Sequence, residues 1–179
     1  TISNNTITGS TLQSTAAARC ALVKITNFPS VAISVSNNIM NNNVFTNLGG
    51  GDIVAFDVNG NYTGACSISG NSVDGLSTTG TGSITGYHNT GAPSGALTIT
   101  GNTFKNVNIT VGGASSWIRF VHSFTGASQV LSINTNTIEN LTLNPSLFSS
   151  GISGIYCQTS NNQSIFNNTI KNIISGSTN

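Results

Sequence analysis

Charge is what this chain has least of. Of 179 residues only nine are ionised at neutral pH, five Lys or Arg and four Asp or Glu, and the net charge is +1. So small a balance leaves no basic footprint for a nucleic acid and no polybasic patch for an anionic membrane surface. Glu, Lys, Ala and Leu, the residues that fill the exposed faces of helices, are too scarce for a helical protein of this length. No apolar run approaches the roughly 20 residues of a membrane-spanning helix. Disorder normally combines low hydrophobicity with high charge, and a chain that is 37% hydrophobic and 5% charged does not fit it. The three cysteines, Cys20, Cys66 and Cys157, are odd in number and have no C-x-x-C spacing, so they predict neither a full disulfide set nor a metal site.

What is present is polar, uncharged and small: 26 Asn, 25 Ser, 24 Thr and 20 Gly. Within that composition one pattern recurs six times. An aliphatic residue is followed by Asn three positions later, an apolar residue after two more, and Gly or Asn after a further two. The anchors are Ile2, Val35, Ile68, Ile99, Ile133 and Ile165, spaced by 33, 33, 31, 34 and 32 residues. A second series, starting at Leu22, Ile53, Ile84, Ile118 and Ile152, lies 13 or 15 residues before the following anchor. The whole unit of about 33 residues therefore repeats.

Helical repeats of similar length need apolar stripes at helix period. Here the apolar residues alternate, as in Leu97 and Ile99 or Leu131 and Ile133, which is strand periodicity. The expected fold is all-β, a parallel β-solenoid of five to six coils stacked at roughly the 4.8 Å strand spacing. Equivalent residues of successive coils then form columns. The anchor column is aliphatic. The column five residues on, Ile7, Met40, Val73, Phe104, Ile138 and Ile170, is a second interior stack. Asn5, Asn38, Asn71, Asn102, Asn136 and Asn168 form an expected internal Asn ladder, because an amide both donates and accepts along a stack. Gly9, Asn42, Gly75, Asn106, Asn140 and Asn172 fit a left-handed backbone position.

On these columns the chain resembles the right-handed parallel β-helix superfamily, the pectate-lyase-like fold, over its whole length. More narrowly, its Asn-Asn-Thr-Ile units resemble β-helical segments of large secreted or surface proteins of Bacteroidota. The resemblance implies a right-handed single-stranded helix. It also implies a place to look for acid clusters that bind calcium or cleave polysaccharide. Only Asp52, Asp57, Asp74 and Glu139 are available, and they do not map onto such clusters.

The column six after the anchor contains Asp74, Lys105, Glu139 and Lys171, expected as an exposed ladder of alternating sign. Both His residues fall in one column with an acid: Thr26, Asp57, His88, His122 and Tyr156. Two His and a carboxylate are able to bind a metal or do acid–base work, although stacking is automatic in a solenoid. Trp117 and Arg119 offer an aromatic, basic patch for sugar stacking. Asp57, His88, His122, Trp117 and Arg119 are thus the candidate binding residues, with no catalytic or metal-ligating set and no cofactor expected. Loops at residues 75–83 and 143–151 are places for a grafted site. Paired Ser and Thr around the anchors resemble ice-binding arrays, but the pattern lapses at Asn134 and Phe166.

The sequence reading is a single β-helical segment, residues 1–179, internal to a longer β-helix whose flanking coils would be its neighbours. Its expected role is structural or adhesive, in an extracellular cell-surface protein, with surface glycans or other surface components as partners and neither nucleic acid nor membrane insertion. The alternatives are a polysaccharide-binding or polysaccharide-cleaving lyase or hydrolase domain and a phage tailspike-like shaft.

Overall fold

The computed structural model describes residues 1–14, 19–26, 32–47, 50–79, 81–89, 91, 94–112, 116–124, 130–145, 151–158 and 162–175. Among them there is no helix; every regular element is a strand, and every pairing is parallel. The chain passes repeatedly through three sheets, giving the β-solenoid that the repeat demands.

The first sheet stacks the anchor strands Ile2–Ser3, Ile33–Ser36, Cys66–Ser69, Leu97–Thr100, Val130–Asn134 and Asn162–Phe166. Its register pairs Ile2 with Val35, Val35 with Ile68, Ile68 with Ile99, Ile99 with Ile133 and Ile133 with Ile165, so the anchor column is a physical ladder. The second sheet begins as pairs of short strands and continues as the long strands Thr103–Gly112, Thr137–Pro145 and Thr169–Ser175. The third holds Cys20–Thr26, Ile53–Asn59, Ile84–Asn89, Trp117–Phe124 and Gly151–Gln158.

The turn between the first and second sheets is where the Asn ladder sits, and Asn38, Asn71, Asn102 and Asn136 are almost fully buried there. Each Nδ2 donates to the Oδ1 of the next coil: Asn5 to Asn38 at 2.8 Å, Asn38 to Asn71 at 2.9 Å, Asn71 to Asn102 at 3.0 Å, Asn102 to Asn136 at 3.0 Å and Asn136 to Asn168 at 2.9 Å. The same Oδ1 also accepts the backbone N–H of the preceding Asn, as Asn102 does from Asn71 at 2.9 Å. Nδ2 makes a second bond backwards, to the anchor carbonyl of the previous coil, as from Asn102 to Ile68 at 2.9 Å. Only a side chain with two donors and a two-lone-pair acceptor closes this network, which is why Ser or Thr never substitutes. A buried amide left half satisfied costs about 1–3 kcal/mol per orphaned group, so the ladder selects its residue strongly.

Two left-handed columns frame this turn. Gly9, Asn42, Gly75, Asn106, Asn140 and Asn172 have φ between 53° and 72°, as the sequence predicts. A second column, Asn4, Asn37, Gly70, Gly101, Thr135 and Asn167, is also left-handed, with φ between 53° and 63°. Thr135 is costly there, because a β-branched residue is crowded at positive φ. The first of these columns also carries, within the second-sheet strands, an exposed amide ladder that the sequence reading did not anticipate: Asn140 donates to Asn106 at 2.8 Å and Asn172 to Asn140 at 3.0 Å.

The core is one continuous stack of aliphatic and aromatic side chains from all three sheets. In the third sheet the alternation breaks after the inward column of Ala55, Gly86 and Phe120, because the next column, Phe56, Tyr87 and Val121, also turns inward. Gly86 has no room for a side chain, since a Cβ would lie 2.8 Å from the Phe120 carbonyl and 3.1 Å from the Phe104 ring. The adjoining Phe104 and Phe120 rings pack 5.7 Å apart. Cys66 is a core residue and Cys157 packs half-buried against the core; burial pushes their thiols up to about 12 and about 11, and all three cysteines are free. Gln163, in line with the apolar Leu131, lies exposed on the last coil.

The expected second series is corrected in the first coil. Cys20, not Leu22, stands opposite Ile53, and Lys24, not Thr26, stands opposite Asp57. Two registers differing by two residues keep the same alternation, so hydrophobic pattern alone does not choose between them. The chosen one turns Ile25 into the core beside Val58 and places a cation against an acid.

Candidate functional site

The nine charges divide cleanly between two faces. Asp74, Lys105, Glu139 and Lys171 are register neighbours on the outside of the second sheet. Lys105 pairs with Asp74 at 3.4 Å and Lys171 with Glu139 at 2.8 Å. Side chains a fifth to half exposed gain only about 0.2–1 kcal/mol per pair. The other five charges, Arg19, Lys24, Asp52, Asp57 and Arg119, all belong to the outer side of the third sheet or to residues just before its strands.

There the column is Lys24, Asp57, His88, His122 and Tyr156. Asp57 and His88 are outward-facing yet almost fully buried. His88 Nδ1 lies 2.9 Å from Asp57 Oδ1. An ionised carboxylate only accepts, so Nδ1 carries the proton and donates. Asn59 Nδ2 donates to the same oxygen at 3.0 Å. Arg19 reaches across from the first coil, with guanidinium nitrogens 3.8 Å from Asp52 and from Asp57 and 3.2 Å from His88 Nδ1. The His88 and His122 rings meet edge to face at 5.1 Å, and His122 and Tyr156 at 5.4 Å.

Arg119 is held differently. Its guanidinium carbon lies 4.6 Å from the centre of the Trp117 ring and 4.6 Å from that of Tyr156. Its Nη1 is 3.2 Å from both ring nitrogens of His122. A neutral imidazole has an acceptor lone pair on only one of its nitrogens, so equal contact with both is a cation resting against the ring. Among the described residues no carboxylate lies within 4 Å of Arg119, and its buried Nε has no hydrogen-bond partner. Burial pulls the guanidinium below its usual value, opposed by Tyr156 and Asp52. His122 is pulled down to about 4, first by burial and then by Arg119, His88 and Arg19.

All five sequence candidates, Asp57, His88, His122, Trp117 and Arg119, thus stand on one face in three consecutive coils. They do not form a metal centre: among the described residues no three His, Cys, Asp or Glu side chains converge as a ligand set, and the His88 nitrogen nearest Asp57 is committed to it. Arg19, Lys24, Asp52 and Asn59 are the partners that sequence reasoning left out, while Tyr156 was in the expected column but not among the candidate binding residues. The signal for Arg19 and Lys24 lies in the first-coil register, which moves both into this column set. Of the two loop candidates, residues 75–83 contain the strand Ser77–Thr78, with residue 80 outside the described residues, and residues 146–150 of the other loop also lie outside them.

Comparison with known proteins finds no matching family model, no matching curated protein and no matching solved structure. The β-solenoid assignment accordingly rests on the register of the chain itself.

Proposed function

We propose that this chain is a non-catalytic structural and adhesive segment of an extracellular cell-surface protein, related in fold to the pectate-lyase-like β-helices and to β-helical surface proteins of Bacteroidota. The observation that carries this reading is the allocation of the acids. Asp74 and Glu139 are paired with lysines on the second sheet, Asp52 is paired with Arg19, and Asp57 is buried against His88. Polysaccharide cleavage on such a scaffold needs two carboxyl groups facing one sugar bond, or several acids on a cation, and every carboxylate here already serves a neighbouring side chain.

A rod built by coil addition presents a long, nearly neutral surface, which suits display and contact. The third-sheet face gathers aromatic rings and polar groups on one strip, the composition that meets sugars. A glycan array combined with a reducing-sugar release assay tests the reading. Binding without release is the expected outcome. Release of reducing ends overturns the non-catalytic role, and failure to bind any glycan overturns the adhesive one.

A further inference from the structure

Among the cations of the described residues, Arg119 is the part-buried one that meets no carboxylate. Arg19 meets two carboxylates, and the second-sheet lysines each meet one. Arg119 meets none and is surrounded by Trp117, Tyr156 and His122. Rings fix a guanidinium in place without neutralising it. Its buried Nε has no hydrogen-bond partner among the described residues, an unmet donor that calls for an explanation.

We infer that Arg119, with Trp117 and Tyr156 as its walls, is the anchoring group for a sulfate ester on a glycan. This rests on the adhesive reading above and sharpens it. Two observations select the ligand. Across the face, Arg19, Lys24 and Arg119 outweigh Asp52 and Asp57 by one positive charge, which a monoanionic sulfate ester closes, whereas a phosphate monoester at about −1.5 to −2 overshoots it. N–H groups approach the spot from more than one coil: Arg119 and His122 lie in the fourth, His88 in the third, and Arg19 reaches in from the first. A tetrahedral oxyanion with three free oxygens accepts from several directions, while a planar carboxylate is best served by a single fork. The walls then offer aromatic surface to the sugar that carries the sulfate.

The test is calorimetric titration of the whole chain with dextran, dextran sulfate and polygalacturonate at low and physiological salt. Dextran sulfate should bind, dextran should not compete, and Arg119→Gln should weaken binding about tenfold, the loss of a charge-assisted contact. Arg119→Lys, which keeps the charge and loses the fork, should fall between the two. Unchanged thermal melting of both variants separates a lost contact from a lost fold. Should Arg119→Gln melt lower, Trp117→Phe, which keeps a ring wall, provides the second measurement and should weaken dextran sulfate binding by a smaller factor.

Equal binding of polygalacturonate and dextran sulfate overturns the choice of sulfate. Dextran sulfate binding that both Arg119 variants leave untouched overturns the site. Binding of neutral glycans alone overturns this inference while sparing the adhesive reading, and binding of no glycan at all defeats both.

Discussion

The outer faces of the second and third sheets use charge in opposite ways. On the second sheet the signs alternate up the stack, every charge has an opposite neighbour one strand away, and the side chains remain wet. On the third sheet an acid and an imidazole are taken out of water together, and a guanidinium is set among rings without a carboxylate. The first arrangement costs little, contributes little, and helps hold coil register. The second carries desolvation that only its own partners offset, which makes it sensitive to every change. The lesson is that a solenoid turns any sequence column into a ladder, but burial decides whether the ladder is a decoration or a commitment.

The sharpest way to break that contrast is at Asp57. Asp57→Ala removes the acceptor for His88 and Asn59 and the ion-pair partner of Arg19 in a buried position, and urea unfolding should show a loss of about 3 kcal/mol. Asp57→Asn, which keeps an acceptor, should recover part of it. If Asp57→Ala costs no more than a surface substitution, the two faces are energetically alike.

A pH series probes the same face more gently. The fold holds His122 at about 4, below its ordinary value of 6.5. The unfolded chain therefore binds more protons than the folded one between those values, so stability rises with pH through that window and is complete above it. Melting temperature should fall as pH drops from 6.5 towards 4, and His122→Gln should flatten that slope. An identical slope in the variant would remove His122 from the account.

The smallest effect belongs to the second sheet. Lys105→Glu places three acids on adjacent strands and should cost about 1 kcal/mol at low salt, declining as salt is added because the groups are exposed. A cost that persists in high salt would show that this face is not merely a screened surface ladder.

The division of the chain between what was legible and what was not follows the same physics. Asn5, Asn38, Asn71, Asn102, Asn136 and Asn168 are readable because a buried amide network accepts one residue type only, so the column is uniform. The left-handed column containing Thr135 was equally available, since its five other members are all Asn or Gly. The exposed ladder of Asn106, Asn140 and Asn172 was visible as a column, though not as a hydrogen-bonded one. At the site, Asp57, His88 and His122 were readable as a stack, while their partners Arg19 and Lys24 were hidden by a register choice that periodicity leaves open.

By itself, the sequence determined the coil length, the strand periodicity, and the identity of the anchor column, the Asn ladder and the interior column five residues after the anchor, because each recurs at fixed spacing and burial tolerates few residue types. The tertiary structure decided what lies against what across coils. A long side chain such as Arg19 reaches from the first coil to His88 in the third, and Arg119 finds its surroundings in rings rather than acids. Spacing along the chain fixes where a backbone goes, and only packing fixes where a flexible charged side chain comes to rest.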